Sequence, residues 1–372
     1  MTKKLVKTQS STLSPPVINN RKLPIGAVDK RIKISVASTI PTMEAINAKE
    51  KRYTAISFFS GIGGSSVGLK WAGFNVLYAN EFVPNAAHNY KLNAPDTIVD
   101  RRDIRKINAK KLMAKLGLKR GQLDLMDASP PCKVFSPAQA RKQGAELGCI
   151  LPYSEGIKQR VDDLFLEAIR MLRGFMPKTF IMENVEGLSE HVNRGILVEV
   201  LDGMENAGYL VEARILDGSR MGIPQKRRRL IFVGIRKDLV RKFGLKPVFP
   251  APTENEAYVS DFLPHIAKVK TAAGFKSSQR AYDAITASDH SIGYTGLFSR
   301  GGWVETVKGN HRRFTINELY RMFGFPDDFK LVGSFVQRWE RLGRSHAPPM
   351  MYAVARLVAK ELRKIGDRNA QF

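Results

Sequence analysis

Apolar and polar positions change their spacing several times along the chain. Residues 1–51 hold few apolar positions and no sustained period, which predicts a mostly disordered basic arm. From Tyr53 the texture changes: the apolar run "YTAISFF" meets the glycine-rich "SGIGGSSVGLKWAG", "FNVLYANE" follows, and "VPNAAHNYKL" has helical spacing. "DTIVD", "LDLMDAS" and "KTFIMENV" read as further strands, with helices expected at about Ile104 to Leu116, Arg160 to Phe175 and Arg194 to Ala207. "YLVEARILD" and "RRRLIFVGI" read as two late strands. Strands alternating with helices predict an α/β domain with a doubly wound sheet over residues 52–236.

Beyond that the period is lost. Residues 237–311 are crowded with turn formers, as in "FPAPTENEAY" and "FSRGGWVETVKGNH", and are expected to form a small, irregular β-rich domain. Residues 312–372 return to the large domain. Met350, Met351, Val354, Leu357, Val358 and Leu362 recur at helical spacing, so the C-terminal helix should pack on it.

Charge narrows the function. Sixty Lys and Arg against 35 Asp and Glu give a formal charge of +25, a field that favours a polyanion, and nucleic acid is the default one. Clusters in "RRDIRK", "PQKRRRLIF" and "GNHRRF" lie inside structured stretches, so the arm is not the sole source of this charge. No run of eighteen apolar residues occurs and the N-terminus lacks the apolar core of a signal peptide. A cytoplasmic, nucleoid-associated protein without a membrane partner is therefore expected. With Cys132 and Cys149 alone, a disulfide framework or a cysteine-rich zinc site is excluded.

Candidate chemistry gathers at the ends of the predicted parallel strands. The turn "FFSGIGGSS" joins a strand to a helix, where glycines let backbone amides approach a ligand, but it lacks the full dinucleotide fingerprint. Glu81 ends the second strand and suits the two hydroxyls of a ribose; Asp103, after the third, suits an adenine amino group. Together they suggest an adenosyl cofactor. Cys132 follows the fourth strand among Lys133 and Arg141, a setting that favours thiolate, and Glu183 ends the fifth on the same rim.

Six blocks, "FFSGIGG", "PPCKVFS", "ENV", "GIPQKRRR", "FTINELYRMFGFP" and "GRSHAPPMMYAVA", resemble the motifs of DNA cytosine-5 methyltransferases in order and rough spacing, from about Tyr53 to Lys364. The resemblance implies a Rossmann-like S-adenosylmethionine-dependent methyltransferase fold acting on double-stranded DNA, without a metal and as a monomer. Cys132 would add to C6 of a cytosine flipped from the duplex, and Glu183 would assist at N3. Arg229 would meet the base carbonyl, with Arg227 in support. Cofactor contacts would fall to Phe59, Gly61, Ile62, Gly64, Glu81, Asp103, Ile104, Pro131, Lys133 and Arg344. DNA contacts would fall to Gln225, Ser136 and Thr286. A restriction endonuclease is a possible partner, and the alternatives are a tRNA cytosine-5 methyltransferase and an inactive DNA-binding module.

Three positions depart from the family's pattern. Lys133 replaces the usual Gln after the nucleophile, Arg344 the usual Asn of the closing Gly-Asn-Ser, and Asn317 the usual Arg of the ninth motif. The first two would lie near the donor methyl. Either they meet DNA phosphate or solvent, or they attract the carboxylate of carboxy-S-adenosylmethionine, which would make the enzyme a carboxymethyltransferase. Asn317 weakens an expected support of the small domain's hinge.

Overall fold

A computed structural model describes residues 17–18, 21–22, 40–131, 150–153, 155–156, 158–161, 163–189, 193–271, 274–283 and 303–369. A seven-stranded sheet runs through its centre. Its strands are β1 (Tyr53–Phe58), β2 (Phe74–Asn80), β3 (Ile98–Asp100), β4 (Leu125–Ala128), β5 (Thr179–Val185), β6 (Tyr209–Asp217) and β7 (Arg228–Arg236). The order is β6-β7-β5-β4-β1-β2-β3, and β7 runs antiparallel to both neighbours while the remaining pairs are parallel.

Helices cover both faces because successive side chains on a strand point opposite ways. Ile56, Met126, Phe180, Met182, Leu230 and Phe232 join the core under α4 (Ala109–Lys115), α5 (Leu164–Phe175) and α6 (Arg194–Asn206). Ala55, Leu125, Ile181, Ile231 and Val233 point the other way, into a core shared with α2 (Gly64–Trp71) and α10 (Pro348–Asn369). The six apolar positions expected to seat α10 are all buried, and Tyr352 stacks on Trp71 with ring centroids 4.0 Å apart. The face toward α2 and α10 turns polar at the C-terminal ends of the strands, where Ser57, Asp127, Glu183 and Arg229 continue the same alternation. That switch marks the rim.

Two elements differ from expectation, and the small region is β-rich as expected, though more regular. Within 1–51, residues Met43–Ala48 form α1, capped by Thr42, with Met43 and Ile46 buried against the second core. The expected helix from Ile104 is broken in two: a short 3-10 turn at Ile104–Lys106, then α4, because Asn108 accepts from the amide of Lys111 and restarts the helix. The small region contains an ordered four-stranded antiparallel sheet, β9-β8-β10-β11, formed by β8 (Ile266–Thr271), β9 (Gly274–Ser277), β10 (Trp303–Thr306) and β11 (His311–Arg313). It shares a core with α8 (Ile316–Phe323) and α9 (Phe335–Arg344), through Ile266, Val269, Val304, Leu319 and Trp339.

Candidate active site

The glycine turn follows β1. Phe59 and Gly61 both have left-handed backbones, at φ 57° and 56°; a side chain rarely adopts this at Phe59, which marks a shape set by its surroundings. A Cβ on Gly61 would meet nothing within 4 Å, so the turn faces open space there. On Gly64 it would lie 2.0 Å from the carbonyl oxygen of His346, so glycine is what lets α2 touch the chain entering α10. Ile62 is buried beside them.

Glu81, just past β2, is buried, and its two carboxylate oxygens accept from the amides of Gly61 (2.7 Å) and Val83 (2.8 Å). Burial pushes its pKa up against the pull of those amides. A carboxylate offers about four acceptor directions, so capacity for ribose hydroxyls remains. Asp103 caps the turn at Ile104, accepting from the Arg105 amide (2.9 Å) and guanidinium (2.8 Å), while Ile104 is buried below. An open glycine turn, a buried carboxylate with spare acceptors and a second acid, on three adjacent strand ends, fit an adenosyl group.

Deeper on the rim, Glu183 Oε1 lies 2.8 Å from Arg229 Nε and 3.7 Å from His346 Nδ1. Burial pushes the Glu183 carboxyl up, but His346, Arg229 and Arg227 outweigh it and hold it down at about 2. Asp127 stands opposite Ser57 on β1 and Ile181 on β5. Its Oδ2 accepts from the Ser57 hydroxyl at 2.7 Å, and its buried Oδ1 has no partner among the described residues. Burial, with Glu183 adding repulsion, pushes Asp127 up to about 7.

Arg227 and Gln225 serve as braces. Arg227 is fully buried, donates Nη2 to the carbonyls of Gly343 (2.9 Å) and Ser345 (2.6 Å), and lies over the Phe323 ring. It thereby fixes the turn that carries His346. Gln225, expected at the DNA, is instead fully buried and donates Nε2 to the Met322 carbonyl at 2.7 Å, because Gln225–Lys226 pairs with Tyr282–Asp283 beneath α8. Such a side chain joins the two parts of the protein and does not reach solvent.

Arg344, at the end of α9, places its guanidinium 2.9 Å from Glu340 and over the Tyr153 ring. Next to Asn317, Glu318 ties α8 to the small sheet: it binds Arg312 of β11 (2.6 Å), His265 at the entry to β8 (2.5 Å) and the Thr315 amide (2.7 Å). Pro131 is described at the end of β4; Cys132, Lys133, Ser136 and Thr286 lie outside the described residues.

Sequence reasoning missed Asp127, Ser57 and His346. A signal existed for the first: in "LDLMDAS" an acid takes a position that alternation assigns to a buried face. For His346 there was none, since the turn "GRSHAPP" meets Glu183 through tertiary packing alone.

The model of the family described as C-5 cytosine-specific DNA methylase matches residues 53–290 and 265–360. Type II methyltransferase M1.HphI of Haemophilus parahaemolyticus is 27% identical over 347 residues, covering 82% of this chain and 87% of the relative. Type II methyltransferase M.HhaI, from the same species, is 26% identical over 336 residues, covering 81% and 93%. Among solved structures, the S. pombe Dnmt2 methyltransferase aligns with a TM-score of 0.59 at 20% identity, over 84% of this chain and 99% of that one. At that identity the likeness speaks to the fold alone, a doubly wound, Rossmann-like methyltransferase fold.

Proposed function

The chain belongs to the C-5 cytosine-specific DNA methylase family and is a DNA cytosine-5 methyltransferase; on that premise we propose that Cys132 attacks C6 of a flipped cytosine while Glu183 acts at N3. The observation that carries this reading is the Glu183–Arg229 pair at 2.8 Å on the rim, one strand over from the end of β4 where the Cys132 segment begins. C5 of cytosine is a weak nucleophile. Addition of a thiolate to C6 pushes electron density to C5 and N3, and a proton held at N3 stabilises the charge that builds there. S-adenosylmethionine, when bound, supplies an electrophilic sulfonium methyl.

The chain's own residues divide the remaining work. The Phe59–Gly64 turn, Glu81 and Asp103 hold the adenosyl group against the ends of β1 to β3. Arg229 keeps Glu183 oriented and donates toward the base carbonyl. Arg227 and Gln225 brace these parts, and the β8–β11 sheet presents the segment that reads the DNA. The methyl group is the one transferred on this reading, which is supported by Glu340 lying 2.9 Å from Arg344, one of the two cations that a carboxylated donor would need. The names of the Type II relatives suggest a restriction endonuclease of the same specificity as partner.

Nucleoside mass spectrometry after incubation of the protein with duplex DNA and S-adenosylmethionine tests this reading. 5-Methylcytosine in DNA treated with wild type, and none with Glu183→Ala, is expected. Modification at another cytosine atom would overturn it.

A further inference from the structure

We propose that His346 is a positioning residue for the transfer reaction, passing a proton through Glu183 to N3 of the target cytosine and taking it back when product forms. This rests on the reading that Glu183 acts at N3. The His346 side chain is 3% exposed, and its Nδ1 faces Glu183 Oε1 at 3.7 Å, beyond hydrogen-bond length, with no hydrogen-bond partner among the described residues. A buried ring nitrogen left without a partner is destabilising, so the fold keeps it there against a local penalty.

The surrounding elements fix the ring's place. Arg227 holds the carbonyls of Gly343 and Ser345, just ahead of His346, and Gly64 packs on the His346 carbonyl oxygen. The imidazole therefore enters the site as a part of the same turn that Arg227 braces.

Chemistry supplies the reason. His346, Arg229 and Arg227 together hold Glu183 as an anion, and an anion has no proton of its own to give. Arginine does not release its own in the accessible pH range. Among the described residues, the charged and titratable groups facing Glu183 are Arg229 and Arg227 from the β7 side, Asp127 from β4 and His346 from the entry to α10. Asp127 makes no hydrogen bond or ion pair with Glu183 and keeps Oδ2 on Ser57. Among the described residues, His346 places a proton-exchanging nitrogen 3.7 Å from the carboxylate.

The step balances. As the Cys132 thiolate bonds to C6, the C5–C6 π pair shifts to C4–C5 and the C4–N3 π pair becomes a lone pair on N3, while the His346 Nδ1 proton passes to the Glu183 carboxylate, which hands it to N3 and is left an anion again. Once C5 carries the transferred methyl and has lost its proton to solvent, the C6–S bond breaks with its pair on sulfur, and N3 returns its proton through Glu183 to His346.

The test is single-turnover methyl transfer to duplex DNA across the pH range, with wild type, His346→Gln, His346→Asn, Asp127→Asn and Glu183→Gln. His346→Gln should lower the rate about 100-fold, leave the KM for DNA within about twofold, and lack an alkaline fall in rate that the proposal expects of wild type. Asp127→Asn should keep that fall. A His346→Gln profile parallel to wild type, at whatever rate, would show that the ring only packs. If His346→Gln does not fold, His346→Asn takes its place, and a wild-type profile without an alkaline fall overturns the proposal with no variant at all. Glu183→Gln separates the two readings: full activity there defeats the role of Glu183 itself, whereas an inactive Glu183→Gln beside a parallel His346→Gln profile defeats only the relay.

Discussion

Replacing Asp127 by Asn should stabilise the protein near neutral pH, by a margin that grows as pH rises from about 5. Asp127 is raised from 3.8 to about 7, mainly by burial. The folded chain thus keeps a proton that the unfolded chain has released, so stability is lost as pH climbs from the unfolded value to the folded one. Each unit is worth about 1.4 kcal/mol, and the two units between about pH 5 and 7 give a change of about 3 kcal/mol. Glu183 does not blur this window. Its carboxyl is depressed, from 4.5 to about 2, so its stabilisation is complete above about 4.5 and is lost only as pH falls through the folded value. Asparagine keeps an oxygen for the Ser57 hydroxyl and never ionises. Urea unfolding of both proteins at several pH values from about 5 to 8 measures the difference, with every other titration cancelling between them. A stability difference that stays constant across that range would refute the assignment of a neutral, buried Asp127.

Other perturbations probe the braces and the donor. Arg227→Met removes the donors to Gly343 and Ser345; a loss of about 3 kcal/mol in unfolding free energy is expected, with a fall in transfer rate because the His346 turn is released. Glu318→Gln weakens the clasp on Arg312 and His265 and should raise the KM for DNA more than it lowers the single-turnover rate. Glu318 is held at about 2, its burial outweighed by Arg312 and His265, so the clasp's contribution is present above about pH 4.5 and fades toward pH 2 in wild type alone, which acid unfolding reads. Offered S-adenosylmethionine and carboxy-S-adenosylmethionine together, the enzyme should yield 5-methylcytosine; carboxymethylcytosine on mass spectrometry would assign Lys133 and Arg344 to the donor.

Much of the architecture was legible because it rests on period. The strands of the sheet announce themselves as apolar runs, and α10 as a helical stripe whose six marked positions are buried. Glu183 and Arg229 were readable because each interrupts such a run at its end. The β-rich character of the small region was legible but its individual strands were not, since they are three to six residues long and carry charges such as Lys268 and Glu305 that pair across strands instead of alternating with an apolar face. Helix α9 escaped for a similar reason: its buried face includes Glu340 and Arg341, which a hydrophobic pattern scores as solvent-facing. The meeting of Asp127, Glu183 and His346 joins residues far apart in the chain, and no local signal encodes it.

Covalent trapping on duplex DNA that carries 5-fluorocytosine at the target tests the central claim most directly, because fluorine at C5 blocks the final elimination and holds the sulfur–C6 bond. With S-adenosylmethionine present, wild type is predicted to form a denaturant-stable adduct that is absent with Cys132→Ser. An adduct that survives Cys132→Ser, or methyl transfer by a wild-type enzyme that forms none, would contradict the account.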